Sequence, residues 1–129
     1  MNKILAIDDD ELFLELLLEL LRKKGWQAIC ADSGRLGLQL AKEQIPNLII
    51  CDIRMPDING YEVLNRLRQD PATKKIPLIL FTATLTDKER IRASDTGADD
   101  CLDKFCSFDE LFKAINTHIP QSSLAMSFI

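Results

Sequence analysis

Residues 48–60 read Leu48-Ile49-Ile50-Cys51-Asp52-Ile53-Arg54-Met55-Pro56-Asp57-Ile58-Asn59-Gly60. Four apolar residues run without a break, and an acid follows at once. Such a short continuous run marks a strand buried on both faces, as in a parallel sheet covered by helices. Asn59-Gly60 marks a turn, and Tyr61–Gln69 then reads as a helix, with Pro71 beyond it. Strand, polar loop and helix form one unit, and that unit recurs along the chain.

Upstream, Ile4–Ile7 is an apolar run ending in Asp8-Asp9-Asp10, followed by a helix over Glu11–Lys24 that Gly25 stops. Trp26–Ala31 is strand-like, and Asp32-Ser33-Gly34 offers a cap for a helix over Arg35–Glu43. Downstream, Leu78–Phe81 is a strand ending at Thr82, and Thr86-Asp87-Lys88-Glu89 has the spacing of a capping box for a helix to about Ser94. Asp99–Asp103 reads as a short strand beside Lys104. Ser107-Phe108-Asp109-Glu110 is a second capping box, for a helix that runs to His118 before Pro120. Five β-α units with right-handed crossovers predict a doubly wound three-layer α/β domain.

At 129 residues the chain is one domain. Residues 1–119 form it, and 120–129 read as a tail that is flexible, packs on the domain or starts a linker. Apolar residues are 47% and charged residues 28%, which excludes disorder and fibrous repeats. No apolar run reaches the ~18–20 residues of a membrane span. The start is not that of a signal peptide, so a cytoplasmic chain without membrane contact is expected. A net charge of −4 without a basic run argues against direct nucleic-acid binding. Cys30, Cys51, Cys101 and Cys106 lack zinc-site spacing and read as reduced thiols. His118, the single histidine, excludes a His-based metal site or triad and reads as a favourable charge at a helix end. Trp26 reads as packing at the sheet end.

In a doubly wound sheet the site lies outside the carboxyl ends of the strands. Those ends carry Asp8 and Asp9, Asp52, Thr82-Ala83 and Lys104. Three clustered carboxylates repel one another unless a cation neutralises them. An oxygen-only ligand set suits Mg²⁺, with Mn²⁺ as the other possibility. A carboxylate beside a divalent ion, an ammonium and a hydroxyl is equipped for phosphoryl transfer, with the carboxylate as nucleophile. Asp52, at the end of the central strand, is the best candidate.

The set Asp8-Asp9, Asp52 through Gly60, Thr82-Ala83 and Lys104 resembles the receiver domain of bacterial response regulators, chemotaxis-regulator-like modules of two-component signalling. The likeness covers residues 3 to about 118. It implies a flavodoxin-like doubly wound (βα)5 fold, a five-stranded parallel sheet of order 2-1-3-4-5 with helices on both faces. It implies that Asp52 accepts phosphate from a phosphohistidine on a sensor histidine kinase or a histidine phosphotransfer protein. Asp9, Asp52 and the Arg54 backbone carbonyl would bind Mg²⁺, with Asp8 acting through water. Lys104, Thr82 and the Ala83 backbone N–H would contact the phosphoryl group. The surface around the fourth helix, fifth strand and fifth helix would then switch toward an unknown downstream protein. No enzymatic activity beyond self-catalysed aspartyl phosphorylation and dephosphorylation is implied. Monomer and weak homodimer are both compatible, the latter through the mixed charges Lys88, Arg90 and Arg92 with Asp99, Asp100 and Asp103.

Three positions depart from the family pattern. Phe105 replaces a proline that usually follows the lysine through a cis bond, so a trans bond is expected here. Cys101 stands where an aromatic switch residue is usual, and a small buried side chain is expected. Arg54 and Thr84 occupy positions that tune phosphoryl lifetime; Arg54 either reaches over the site or lies in solvent. On the first helix, Phe13, Leu16, Leu17, Leu20 and Leu21 are expected to face the core. Leu14 and Leu18 are then expected to form part of a docking surface for the phosphodonor.

Other functions fit less well. A non-switching receiver-like interaction module would keep the scaffold while phosphorylation is lost or unimportant; Phe105 and Cys101 favour it, and Asp9, Asp52, Thr82 and Lys104 oppose it. An aspartyl-phosphate phosphatase would place an acid where Arg54 stands. A flavin or nucleotide binder would need a Gly- or Ser/Thr-rich loop where Asp8-Asp9-Asp10 stands.

Overall fold

The computed structural model describes residues 2–120, so the expected tail lies outside the described residues save for Pro120. The elements alternate as the sequence predicts: β1 (Lys3–Ile7), α1 (Glu11–Lys23), β2 (Gln27–Ala31), α2 (Gly34–Gln44), β3 (Leu48–Asp52), α3 (Gly60–Gln69), β4 (Leu78–Thr82), α4 (Asp87–Thr96), β5 (Asp100–Asp103) and α5 (Phe108–His118). All strand pairs are parallel, and the sheet order is β2-β1-β3-β4-β5. Boundaries differ by a residue or two. Trp26 precedes β2, where its ring packs on Phe112 with centroids 6.1 Å apart. The fourth helix runs past Ser94 to Thr96, where Gly97 closes it at φ 101°.

Side chains of the strands alternate between two cores. Leu5, Ile7, Ile49, Cys51, Leu78 and Leu80 join one core with Val63 and Leu64 of α3. Ile4, Ala6, Leu48, Ile50, Ile79 and Phe81 join the other with Leu14 of α1 and Ile115 of α5. A strand's two-residue period sends successive side chains to opposite faces, and helices cover both. Each helix starts on a side-chain cap. Asp10, Ser33, Asn59, Thr86 and Ser107 accept a backbone N–H three residues on, at 2.9–3.2 Å. Each cap contributes about 1 kcal/mol. The caps also fix where each loop at the carboxyl edge ends.

The first helix is turned relative to expectation. Leu14, Leu17 and Leu21 are its buried stripe, so Leu14 belongs to the core and not to a docking surface. Leu18 and Phe13 pack against that core from the flanks. Leu16, expected inside, is 50% exposed, and Leu12 is 79% exposed. Leucines surround this helix, so its apolar residues fit more than one choice of inner face. Contact with β1 and β2 decides the choice.

Candidate functional site

The parallel register brings the acids together. Ile7 pairs with Cys51 across β1 and β3, so Asp8 and Asp52 follow at the same level of the sheet edge. Carboxylate oxygens of Asp8, Asp9 and Asp52 lie within 4.8 Å of one another. Asp8 and Asp52 are buried, while Asp9 is exposed at the rim. Thr82 ends β4 as a buried hydroxyl, and the Thr84 N–H donates to its Oγ1 at 3.4 Å. Ala83 follows it, exposed. The Lys104 N–H donates to the Thr82 carbonyl at 2.8 Å, which pins the lysine's backbone to the end of β4.

The Lys104 ammonium reaches back across the edge. Its Nζ lies 2.6 Å from Asp8 Oδ2 and 3.3 Å from Asp52 Oδ2. Phe13 helps to place it, with Nζ 4.7 Å from the ring centroid, a cation–π contact. Phe13 packs in turn on Phe81, centroids 5.7 Å apart. Burial and the Asp8 charge push the Asp52 carboxyl up to about 6, against the opposing pull of Lys104. Burial acts to lower the Lys104 pKa, but the Asp8 and Asp52 carboxylates outweigh it and the net shift is upward. The pocket therefore has more negative charge than its one ammonium neutralises. Its donors are all carboxylate oxygens, the set that suits a hard divalent cation.

Glycine at position 60 is what lets α3 start against this pocket. A Cβ there would stand 2.5 Å from the Asp52 carbonyl oxygen and 3.0 Å from Ile53 Cα. The Gly60 N–H donates to the Ile53 carbonyl at 2.8 Å. Asp57, in the same loop, accepts the Gly34 and Arg35 N–H groups at 3.1 and 2.9 Å, tying the loop to the start of α2. Among the described residues no peptide bond is cis, so the Lys104–Phe105 bond is trans as expected. Phe105 itself is 83% exposed. Cys101 is a small buried side chain, and burial pushes its thiol up to about 11, which makes it a poor thiolate at neutral pH.

A model of the response regulator receiver domain matches residues 4–116. The chain belongs to this family. The receiver is 33% identical to the protein PilH of Pseudomonas aeruginosa over 116 residues, spanning 90% of this chain and 96% of PilH. It is 38% identical over 122 residues to the transcriptional regulatory protein CpxR of Escherichia coli, but spans only 51% of that longer protein. Among solved structures, the Vibrio cholerae chemotaxis protein CheY4 superposes with a TM-score of 0.86 at 25% identity, over 92% of this chain and 99% of that one.

Two receiver residues make contacts beyond those expected. Arg54 lies largely in solvent, the second of its two expected placements, and its Nη2 also sits 3.4 Å from Glu89 Oε1 on α4. His118 is more than a helix-end charge, because its Nε2 lies 3.1 Å from Asp100 Oδ2 at the start of β5. Asp99 is also engaged within the chain, accepting from the Leu78 N–H at 2.8 Å and Arg68 at 3.1 Å. Sequence reasoning missed Phe13 as a partner of Lys104. It also missed Glu89, which it read only as part of a capping box. No local signal marks either, because both act on residues that only the sheet and helix packing bring near.

Proposed function

We propose that this receiver is a phosphoacceptor switch whose nucleophile is Asp52. The observation that carries the reading is the buried Asp52 carboxylate, clustered with Asp8 and Asp9 and reached by Lys104. An Asp52 oxygen attacks the phosphorus of a partner's phosphohistidine. The new O–P bond forms as the P–N bond breaks, and its electron pair returns to the imidazole. The Lys104 ammonium neutralises charge on the transferred oxygens, while the Thr82 hydroxyl and the Ala83 N–H donate to them. Asp9, Asp52 and the Arg54 carbonyl would hold Mg²⁺, or Mn²⁺, with Asp8 acting through water. When bound, the ion would add neutralisation of the same oxygens. The resulting aspartyl phosphate alters the surface of α4, β5 and α5 for a downstream protein.

The donor, a histidine kinase or phosphotransfer protein, must bring its phosphohistidine to the Asp52 mouth. Leu12 and Leu16 of α1, with Phe105 and Phe108 beyond β5, expose large apolar side chains. They replace the buried Leu14 in the proposed docking surface and stand with the half-buried Leu18.

The test is titration with beryllofluoride and Mg²⁺ followed by amide NMR, with Asp52→Asn as the control. Saturable shifts at Asp52, Thr82 and Lys104 that spread to α4, and vanish in the variant, support the switch. Their absence at millimolar Mg²⁺ favours a non-switching interaction module.

A further inference from the structure

The α4 helix is held on the domain by few apolar contacts. Of its ten residues only Ala93 is buried, and Ile91 is 63% exposed. Its ties to the neighbouring α3 side are polar and converge on one carboxylate. Glu89 Oε1 pairs with Arg54 at 3.4 Å, and Glu89 Oε2 accepts the hydroxyl of Tyr61 in the first turn of α3. The guanidinium of Arg92, one turn further along α4, lies 4.0 Å above the Tyr61 ring centroid. Arg54 stands two residues after Asp52 on the loop that leaves β3.

We propose that Glu89 couples the charge state of Asp52 to α4: it clasps α4 to the loop through Arg54 while Asp52 is unmodified, and it loses that hold when a phosphoryl group on Asp52 draws Arg54 away. The inference rests on the reading of Asp52 as phosphoacceptor. Arg54 then has two competing anions. Glu89 offers one negative charge, and an aspartyl phosphate carries about 1.5 to 2 where the Asp52 carboxylate carried one, spread over oxygens that stand further out from β3. The Arg54 side chain is largely exposed while that of Glu89 is mostly covered, so the arginine is the mobile partner, and a pair with one end in solvent is weak enough to exchange. A helix with a single buried residue responds to the loss of one clasp, since weakly packed elements open first. The route bypasses Cys101, which has neither a ring nor a hydroxyl to move. It begins instead at the loop that carries the phosphoacceptor.

The test uses the full chain, with amide NMR and hydrogen exchange before and after loading with beryllofluoride and Mg²⁺. Glu89→Gln keeps an acceptor for Tyr61 and removes the charge that holds Arg54. It also removes one first-turn acid of α4, a loss that loosens the helix but does not itself alter the helix's response to loading. The expected result has two parts. Without loading, the α4 amides of the variant exchange about two- to fivefold faster than wild type and shift toward the loaded wild-type positions. On loading, the pocket amides of the variant still shift, but the further α4 shift is largely lost. Tyr61→Phe serves as a comparison, because it loosens the same clasp without touching Arg54. A Glu89→Gln variant that behaves like Tyr61→Phe, with a looser α4 and an undiminished loading response, overturns the inference and leaves Glu89 a structural tie. Pocket shifts in wild type without any α4 shift overturn it alone. Absence of pocket shifts in wild type overturns the phosphoacceptor reading and this inference together.

Discussion

Lys104 is closer to Asp8 than to Asp52: its Nζ lies 2.6 Å from the first carboxylate and 3.3 Å from the second. The lysine is thus chiefly the counterion of the buried acid that follows β1. The same ammonium ties both carboxylates together at the carboxyl edge of the sheet.

Removing that ammonium leaves two buried carboxylates without compensation. Lys104→Met is expected to lower stability at neutral pH by about 3–5 kcal/mol, with added Mg²⁺ restoring part of the loss. Urea unfolding with EDTA and with Mg²⁺ measures both. A variant as stable as wild type in EDTA would show that the pair contributes nothing net.

Asp52 gives a pH-dependent prediction. Its carboxyl is raised to about 6, first by burial and then by Asp8, above the 3.8 of a free carboxyl. Between those values the folded chain binds more protons than the unfolded one. Stability therefore falls as pH rises through this window. Asp52→Asn removes the ionisation. In EDTA it is expected to be more stable than wild type at pH 7, by on the order of 1–3 kcal/mol. That gain disappears below about pH 4. Denaturation midpoints across pH check it; a gain that does not change with pH would show a different cause.

Gly60→Ala tests the close approach of α3 to the pocket. The added methyl meets backbone atoms at 2.5 and 3.0 Å, which cannot rotate away. A loss of about 1–3 kcal/mol is expected, together with weaker Mg²⁺ binding as the Asp52 carbonyl shifts. Thermal melts and Mg²⁺ titration by amide signals read the two effects. Unchanged values in both would mean that α3 slides outward without disturbing the site.

The two faces of α1 are separable by substitution. Leu14→Ala empties a core position and should cost about 2–5 kcal/mol. Leu12→Ser with Leu16→Ser should change stability by no more than about 0.5 kcal/mol per site and leave beryllofluoride binding intact. Phosphotransfer from the partner kinase should slow several-fold in that double variant. An unchanged transfer rate would remove these residues from the docking surface.

The order of elements, the sheet and the acids at its edge were legible because each carries a local mark. A strand buried on both faces announces itself as a continuous apolar run, and the residue just past its end falls at the carboxyl edge. Asp8, Asp52, Thr82 and Lys104 could be placed on that edge in this way, while their mutual distances could not. The orientation of α1 was misread at Leu14 and Leu16 because leucines on every side of the helix blur its period. The Glu89 contacts with Arg54 and Tyr61 were hidden for another reason. They join elements whose spacing is set by the packing of α3 and α4, and a glutamate three residues after Thr86 already had a sufficient local explanation.

The contact between Lys104 and Asp8 also bears on how the chain matures. It joins the ends of the first and last strands, and β3 and β4 must be in register between them before the two groups can meet. Contacts so distant in sequence form late, since chain closure must precede them. An incompletely assembled chain, one still being synthesised or one truncated before β5, carries its acids but lacks the ammonium that organises them. Only a chain whose five strands are all assembled brings this ammonium to its acids.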